Sequence, residues 1–160
     1  MNIEILTYLK DNPAAYPGEM HYEGRIEPMS ISEIENHEAV YNNGKPFPKA
    51  LRELLFLAGK SCYVLSHNIL ETNELQEEPR EWMQEHNKAI HRPFYVIECW
   101  AYEESFLFVY LDEDDDPIVR QAYLFCEDYN IPFISGLSGK TLSEFINRRI
   151  SIKKDGYNPF

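Results

Sequence analysis

The chain has 160 residues, 44% hydrophobic and 14% aromatic, which is enough apolar matter for one buried core and too much for a disordered tract. Its formal net charge of −12 repels phosphate backbones, which sets direct nucleic-acid binding aside. No apolar run approaches the roughly 20 residues that span a bilayer, and MNIEILTYLKDN lacks a basic leader region with a cleavage site, so neither a membrane segment nor a signal peptide is expected.

Ile3, Ile5, Leu6 and Leu9 predict one short amphipathic helix, after which Pro13, Pro17 and Gly18 impose an irregular segment to about Pro28. Ser30-x-x-Glu33 is a capping box, with Met29 and Ile34 at the two staple positions around it, and the helix it opens runs to about Tyr41. Asn42-Asn43-Gly44 stops that helix. A second begins at Pro48 and carries Leu51, Leu54, Leu55 and Ala58 on one face, with Gly59 expected as a left-handed cap. A short strand is expected over Cys62 to Ser66, then a polar helix over about 79–90 whose stripe is Trp82, Met83, His86 and Ile90.

From Pro93 the pattern turns to β. FYVIECW, SFLFVYL and IVRQAYLF are aromatic and β-branched runs on short acidic links, which predicts an antiparallel meander over about 94–125. Another short strand is expected within Ile131 to Ile134, with Ser135 to Lys140 as a flexible lead into the last helix. Thr141-x-x-Glu144 caps that helix over about 141–150, with Leu142, Phe145, Ile146 and Ile150 inward, and 153–160 is expected as a poorly ordered tail. The fold class is therefore α+β, one domain with a mostly antiparallel sheet flanked by helices.

Chemistry-bearing patterns are sparse. Cys62, Cys99 and Cys126 are too far apart for a zinc site and read as buried thiols in a reducing cytoplasm. The five histidines (21, 37, 67, 86 and 91) fall into no metalloprotease or deaminase spacing, and His86 reads as a half-buried packing residue. Ser135 to Thr141 ends in Gly-Lys-Thr, but a phosphate loop needs glycine at 134, where Ile134 stands. No cofactor and no catalytic residue is expected.

The stretch LDEDDDPIVR is the most distinctive. Asp112, Asp114 and Asp116 match the first acidic positions of a calcium-binding helix-loop-helix, yet Pro117 replaces its glycine and Tyr123 its bidentate glutamate, and the flanks are strands. As a strand-to-strand turn, Asp112, Glu113, Asp114, Asp115 and Asp116 lie at one end of the meander beside Arg92, while Glu103, Glu104, Glu127 and Asp128 lie at the other. From Lys140 onward five basic residues face two acids, leaving −15 on the first 139 residues. Such a body attracts a cationic partner or simply keeps the protein in solution. A solvated turn, a partner site and a weak divalent-cation site all remain compatible with the turn itself.

Three stretches together resemble the SUKH superfamily, which includes yeast cell-wall-synthesis regulators and bacterial toxin-immunity proteins. They are ISEIENHEAVYNNGKPFPKALRELLFLAGK (Ile31 to Lys60), ESFLFVYLDEDDDPIVRQAY (Glu104 to Tyr123, with its acidic Asp116-Pro117 turn) and SGKTLSEFINRRI (Ser138 to Ile150). The resemblance implies an α+β domain that works by binding and has no general catalytic residues. In bacteria it implies an antidote that blocks a toxin, often a nuclease whose phosphate-binding face is basic. On that reading the partner-binding residues are Asp112 to Asp116, then Glu103 and Glu104, and the alternative is a regulatory or scaffold module with an unrelated cellular partner.

Overall fold

A computed structural model describes residues 1–14, 25–66, 72–102 and 104–158. The elements in order are α1 (Thr7–Asp11), β1 (Ile26–Glu27), α2 (Ile31–Tyr41), α3 (Lys49–Ala58), β2 (Ser61–Cys62), α4 (Thr72–Glu85), β3 (Phe94–Trp100), β4 (Ser105–Tyr110), β5 (Ile118–Tyr123), β6 (Ile134–Thr141) and α5 (Leu142–Lys154). The fold is α+β. Strands β3 to β6 form one antiparallel sheet in sequence order, and β1 pairs with β2 in a separate two-residue ladder.

The meander's apolar runs are continuous because both faces of its first two strands are covered. On one face Tyr95, Ile97, Leu107, Val109 and Val119 join Leu6, Leu9, Ile34, Leu51, Leu54, Leu142, Ile146 and Ile150 from the other helices. On the opposite face Phe94, Val96, Phe106, Phe108 and Tyr110 join Leu75, Trp82 and Met83 of α4. Cys62, Cys99 and Cys126 are all buried.

Both capping boxes form. The Glu33 amide donates to Ser30 Oγ and the Glu144 amide to Thr141 Oγ1, while each glutamate accepts from its cap residue's amide. Met29 and Ile34 are buried as a staple pair. Asn43 and Gly44 take positive φ angles of 54° and 76°, which turns the chain after α2.

Buried polar side chains stitch the elements together. Glu53 of α3, fully buried, accepts the amides of Glu4, Ile5 and Leu6 at 2.8 Å each, so one carboxylate gathers three successive donors of the segment that leads into α1, the last of them the helix's N-cap residue. Glu38 accepts the Phe47 amide at 2.8 Å and lies 2.9 Å from Arg52 Nε. Gln76 of α4 donates to the Val96 carbonyl at 2.7 Å and accepts the Val96 amide at 3.0 Å, as a neighbouring strand would. With Arg80 donating to the Phe94 carbonyl, α4 closes the β3 edge of the sheet.

Six expectations are corrected. Gly59 is right-handed (φ −70°) rather than left-handed; glycine is needed there because a Cβ would lie 2.5 Å from the Leu55 carbonyl oxygen and 2.7 Å from Met29. The strand expected over Cys62 to Ser66 pairs only at Ser61–Cys62, after which the chain turns with Leu65 donating to the Cys62 carbonyl. The helix expected over 79–90 starts at Thr72, with Pro79 inside it, because Leu75 and Gln76 anchor an earlier turn on β3. It ends at Glu85 because Asn87 turns left-handed and the Lys88 amide closes on the Met83 carbonyl. The strand expected within Ile131 to Ile134 begins only at Ile134, and the expected lead from Ser135 to Lys140 is instead most of that strand, β6, which pairs with β5 at Ile134, Ser135, Gly136 and Thr141. The last helix runs on to Lys154, whose amine reaches Asn12 Oδ1 at 2.9 Å, so the expected tail begins later. The remainder of the tail is described only as far as Asn158, and the irregular segment after Pro13 falls largely on 15–24, outside the described residues.

A register shift in β3 between Val96 and Glu98 sets Glu98 opposite Leu107, on the face where α5 packs. There Arg149 Nη1 meets Glu98 Oε2 at 2.6 Å and the Val64 carbonyl at 2.9 Å, and the Ser66 amide donates to Glu98 Oε1 at 3.0 Å. Burial pushes the Glu98 carboxyl from its ordinary 4.5 up to about 7, against the pull of Arg149. The folded chain thus holds this proton more tightly than the unfolded chain. The corresponding stability is full below pH 4.5 and lost as pH rises through 7. Melting temperature should therefore fall more steeply with rising pH across that window in the wild type than in Glu98→Gln; parallel slopes in a pH series of thermal melts would contradict this.

Candidate protein-binding surface

The turn from Leu111 to Pro117 joins β4 to β5, and its acids have distinct fates. Asp112 takes a two-oxygen grip from Arg92, with Nη2 to Oδ1 at 2.6 Å and Nε to Oδ2 at 3.1 Å. This hydrogen bonding holds the Asp112 carboxyl below its usual range. Glu113 accepts the Ile118 amide at 3.2 Å and Arg120 Nη1 at 3.0 Å. The two arginines stack against the Tyr110 ring, their guanidinium carbons 3.8 and 4.6 Å from its centroid, so the base of the turn is an Arg–Tyr–Arg cluster closed by two carboxylates.

Asp116 faces the other way, into the body of the protein. Its Oδ1 accepts the Ser143 amide at 3.0 Å and its Oδ2 accepts the Ser143 hydroxyl at 2.6 Å, in the first turn of α5. The Pro117 carbonyl accepts the Leu142 amide and the Asp115 carbonyl accepts the Ala50 amide, each at 2.8 Å. One turn thus satisfies donors at the starts of α3 and α5, where helix dipoles favour negative charge. Asp114 and Asp115 are left exposed, with no hydrogen bond or ion pair to either side chain among the described residues.

At the far end of the sheet, Glu104 contacts His86 Nε2 at 2.5 Å under the edge of Phe125, and Glu127 pairs with Lys88 at 2.6 Å. His86 is half-buried as expected, but its ring also shares a hydrogen bond with Glu104. Glu104, with φ 41°, is therefore engaged inside the fold. Glu103 lies outside the described residues. Of the seven candidate contact residues, then, Asp112, Glu113, Asp116 and Glu104 hold internal partners and two stand free. Among the described residues, no group of three or more His, Cys, Asp or Glu side chains is placed to hold a metal ion.

The same end carries a feature that the sequence reading passed over. An open depression of about 840 Å³ lies beside β5 and β6, lined by Tyr102, Tyr123, Phe125, Asp128, Tyr129 and Ser135 among others. Tyr102 is fully exposed and Tyr129 is 66% exposed. The signal was the aromatic density of AYLFCEDYNIPF at and beyond the end of β5, where the sequence reading considered only strands and the acids Glu127 and Asp128.

Comparison with protein-family models, curated proteins and solved structures gives no match. Among the described residues no helix is long and apolar enough to cross a membrane.

The division of the acids has a measurable consequence. Asp116→Ala removes two hydrogen bonds at the start of α5 and should cost about 1–2 kcal/mol. Asp114→Ala touches no partner and should stay within about 0.5 kcal/mol of wild type. Denaturant titration of the two variants checks the ordering, which would be wrong if their midpoints coincided.

Proposed function

We propose that this chain is a non-enzymatic protein-binding domain of SUKH type that neutralises a basic toxin domain, with the acidic turn as its leading contact. One observation carries the reading: Asp114 and Asp115 are exposed, their side chains unpaired among the described residues, on a turn tied down by two helices and two arginines. Charges held this way need little ordering when a partner arrives, so their attraction is not offset by loop entropy. The −12 body adds a long-range field of the same sign, and a nuclease face built for phosphate would respond to it. Asp112 and Glu113 support the pair by fixing the turn, and their charges are already shared with arginines.

A regulatory or scaffold module binding another cationic cellular protein would use the same surface. Genomic position separates the two: an antidote lies beside the gene for its toxin. Because the Asp114 and Asp115 side chains make no hydrogen bond or ion pair among the described residues, and the Asp115 carbonyl that holds Ala50 is backbone, their reversal leaves the turn's supports in place. The double variant Asp114→Lys and Asp115→Lys should associate with the cognate basic partner about ten-fold or more slowly at low ionic strength. The gap should narrow as salt rises. Stopped-flow binding to products of neighbouring genes, paired with a growth-rescue assay, makes the test. Unchanged association at every salt concentration would remove the acidic turn from the interface.

A further inference from the structure

The two edges of the main sheet are treated differently. The β3 edge is closed by Gln76 and Arg80, which occupy the Val96 and Phe94 backbone groups. The other edge, β6, pairs inward with β5 through Gln121–Ser135 and Ala122–Ile134. The Tyr123 amide donates to the Phe133 carbonyl at 2.9 Å, so position 133 points toward β5. In an antiparallel ladder the polar groups alternate direction, which turns the N–H and C=O of Ile134 and Gly136 outward. Among the described residues nothing hydrogen-bonds to them, and the space around Gly136 is open.

The aromatic depression opens beside this edge, since Ser135 belongs to both. Its only charged lining side chain among the described residues is Asp128, whose carboxylate has no partner there. Elsewhere this protein fills aromatic clusters with its own guanidinium groups: Arg92 and Arg120 on Tyr110, and Arg80 on Tyr41 and Phe94. Tyr102 and Tyr129 carry no such cation among the described residues. Rings and a carboxylate facing solvent together are the components that recognise a guanidinium or ammonium group.

We infer that the β6 edge at Ile134 and Gly136, with the Tyr102–Tyr129–Asp128 depression beside it, is a docking site for an extended basic segment of a partner protein. The segment adds as a strand to the open edge and places an Arg or Lys side chain over the Tyr129 ring near Asp128. Backbone bonds supply affinity and the depression supplies selection by charge. A second copy of this chain is a poor occupant, because it would bring another −12 body to the same edge. Gly139 (φ 66°) and Lys140 end the usable edge, restricting it to the stretch nearest the depression. The inference rests on the proposed reading only for the sign of the partner's charge, and the site is remote from Asp114 and Asp115.

The test is nuclear magnetic resonance titration of the full chain with an acetylated, amidated Val-Arg-Val-Arg-Val peptide, alongside the same peptide with Glu in place of Arg. The expected result is a shift of the Ile134 and Gly136 amides and of the Tyr102 and Tyr129 rings with the arginine peptide alone. Tyr129→Ala and Asp128→Asn, both surface changes, should each weaken binding about five- to ten-fold. Gly136→Pro removes an outward donor and should abolish the amide shifts if its thermal melt remains cooperative. Shifts confined to Asp112–Asp116, equal binding of the glutamate peptide, or a concentration-dependent dimer that protects β6 in sedimentation and exchange experiments would each overturn the site. Failure here with continued sensitivity to Asp114 and Asp115 reversal would leave the binding-protein reading standing.

Discussion

The docking of one acidic turn onto two helix starts organises this molecule. Between Leu111 and Ile118 the chain leaves β4, satisfies the amides of Ala50, Leu142 and Ser143, and returns as β5. Those amides belong to α3 and α5, the helices that cover one face of the sheet. Each would otherwise face water or go unsatisfied at a helix end. Asp116 adds a full charge at the point where the α5 dipole is positive. The position of the helical layer over the sheet is therefore tied to the same eight residues that carry the surface's densest charge.

The same strategy recurs at other junctions. Glu53 gathers three amides at the N-terminal helix, Glu38 holds the chain entering α3, and Glu98 with Arg149 joins β3, α5 and the turn at Val64 to Ser66. These buried carboxylates cost desolvation, and each offsets it with hydrogen bonds from several sources. Much of the chain's acidity is thus structural. The charge left for partners is smaller than the composition suggests; at the two ends of the sheet it includes Asp114 and Asp115 on one side and Asp128 on the other, whose carboxylates make no hydrogen bond or ion pair among the described residues.

What was legible in the sequence is what local chemistry decides. The capping boxes at Ser30 and Thr141, the apolar face of α3 and the three meander strands follow from residue spacing, and the structure places them as read. What was hidden depends on tertiary contact. SGLSGK has the composition of a loop and becomes β6 because β5 offers it a ladder. TNELQEEP looks too polar and too close to proline for a helix, yet Gln76 makes its turn part of the sheet's edge. Gly59 was identified as special for the wrong reason, because close approach of Met29 is invisible along the chain. The acidic turn was found, but its sorting into structural and free carboxylates needed α3 and α5 beside it.

The turn is a docked element of the fold and not a wet loop. Hydrogen exchange of the backbone amides tests this directly, since first-turn helix amides without partners exchange freely. Slow exchange is predicted at Ala50, Leu142 and Ser143 in the wild type. In Asp116→Ala the protection of Leu142 and Ser143 should fall sharply, while the amides of β3 and β4 keep theirs. Exchange at those three positions as fast as at Asp114, or protection indifferent to Asp116, would contradict it.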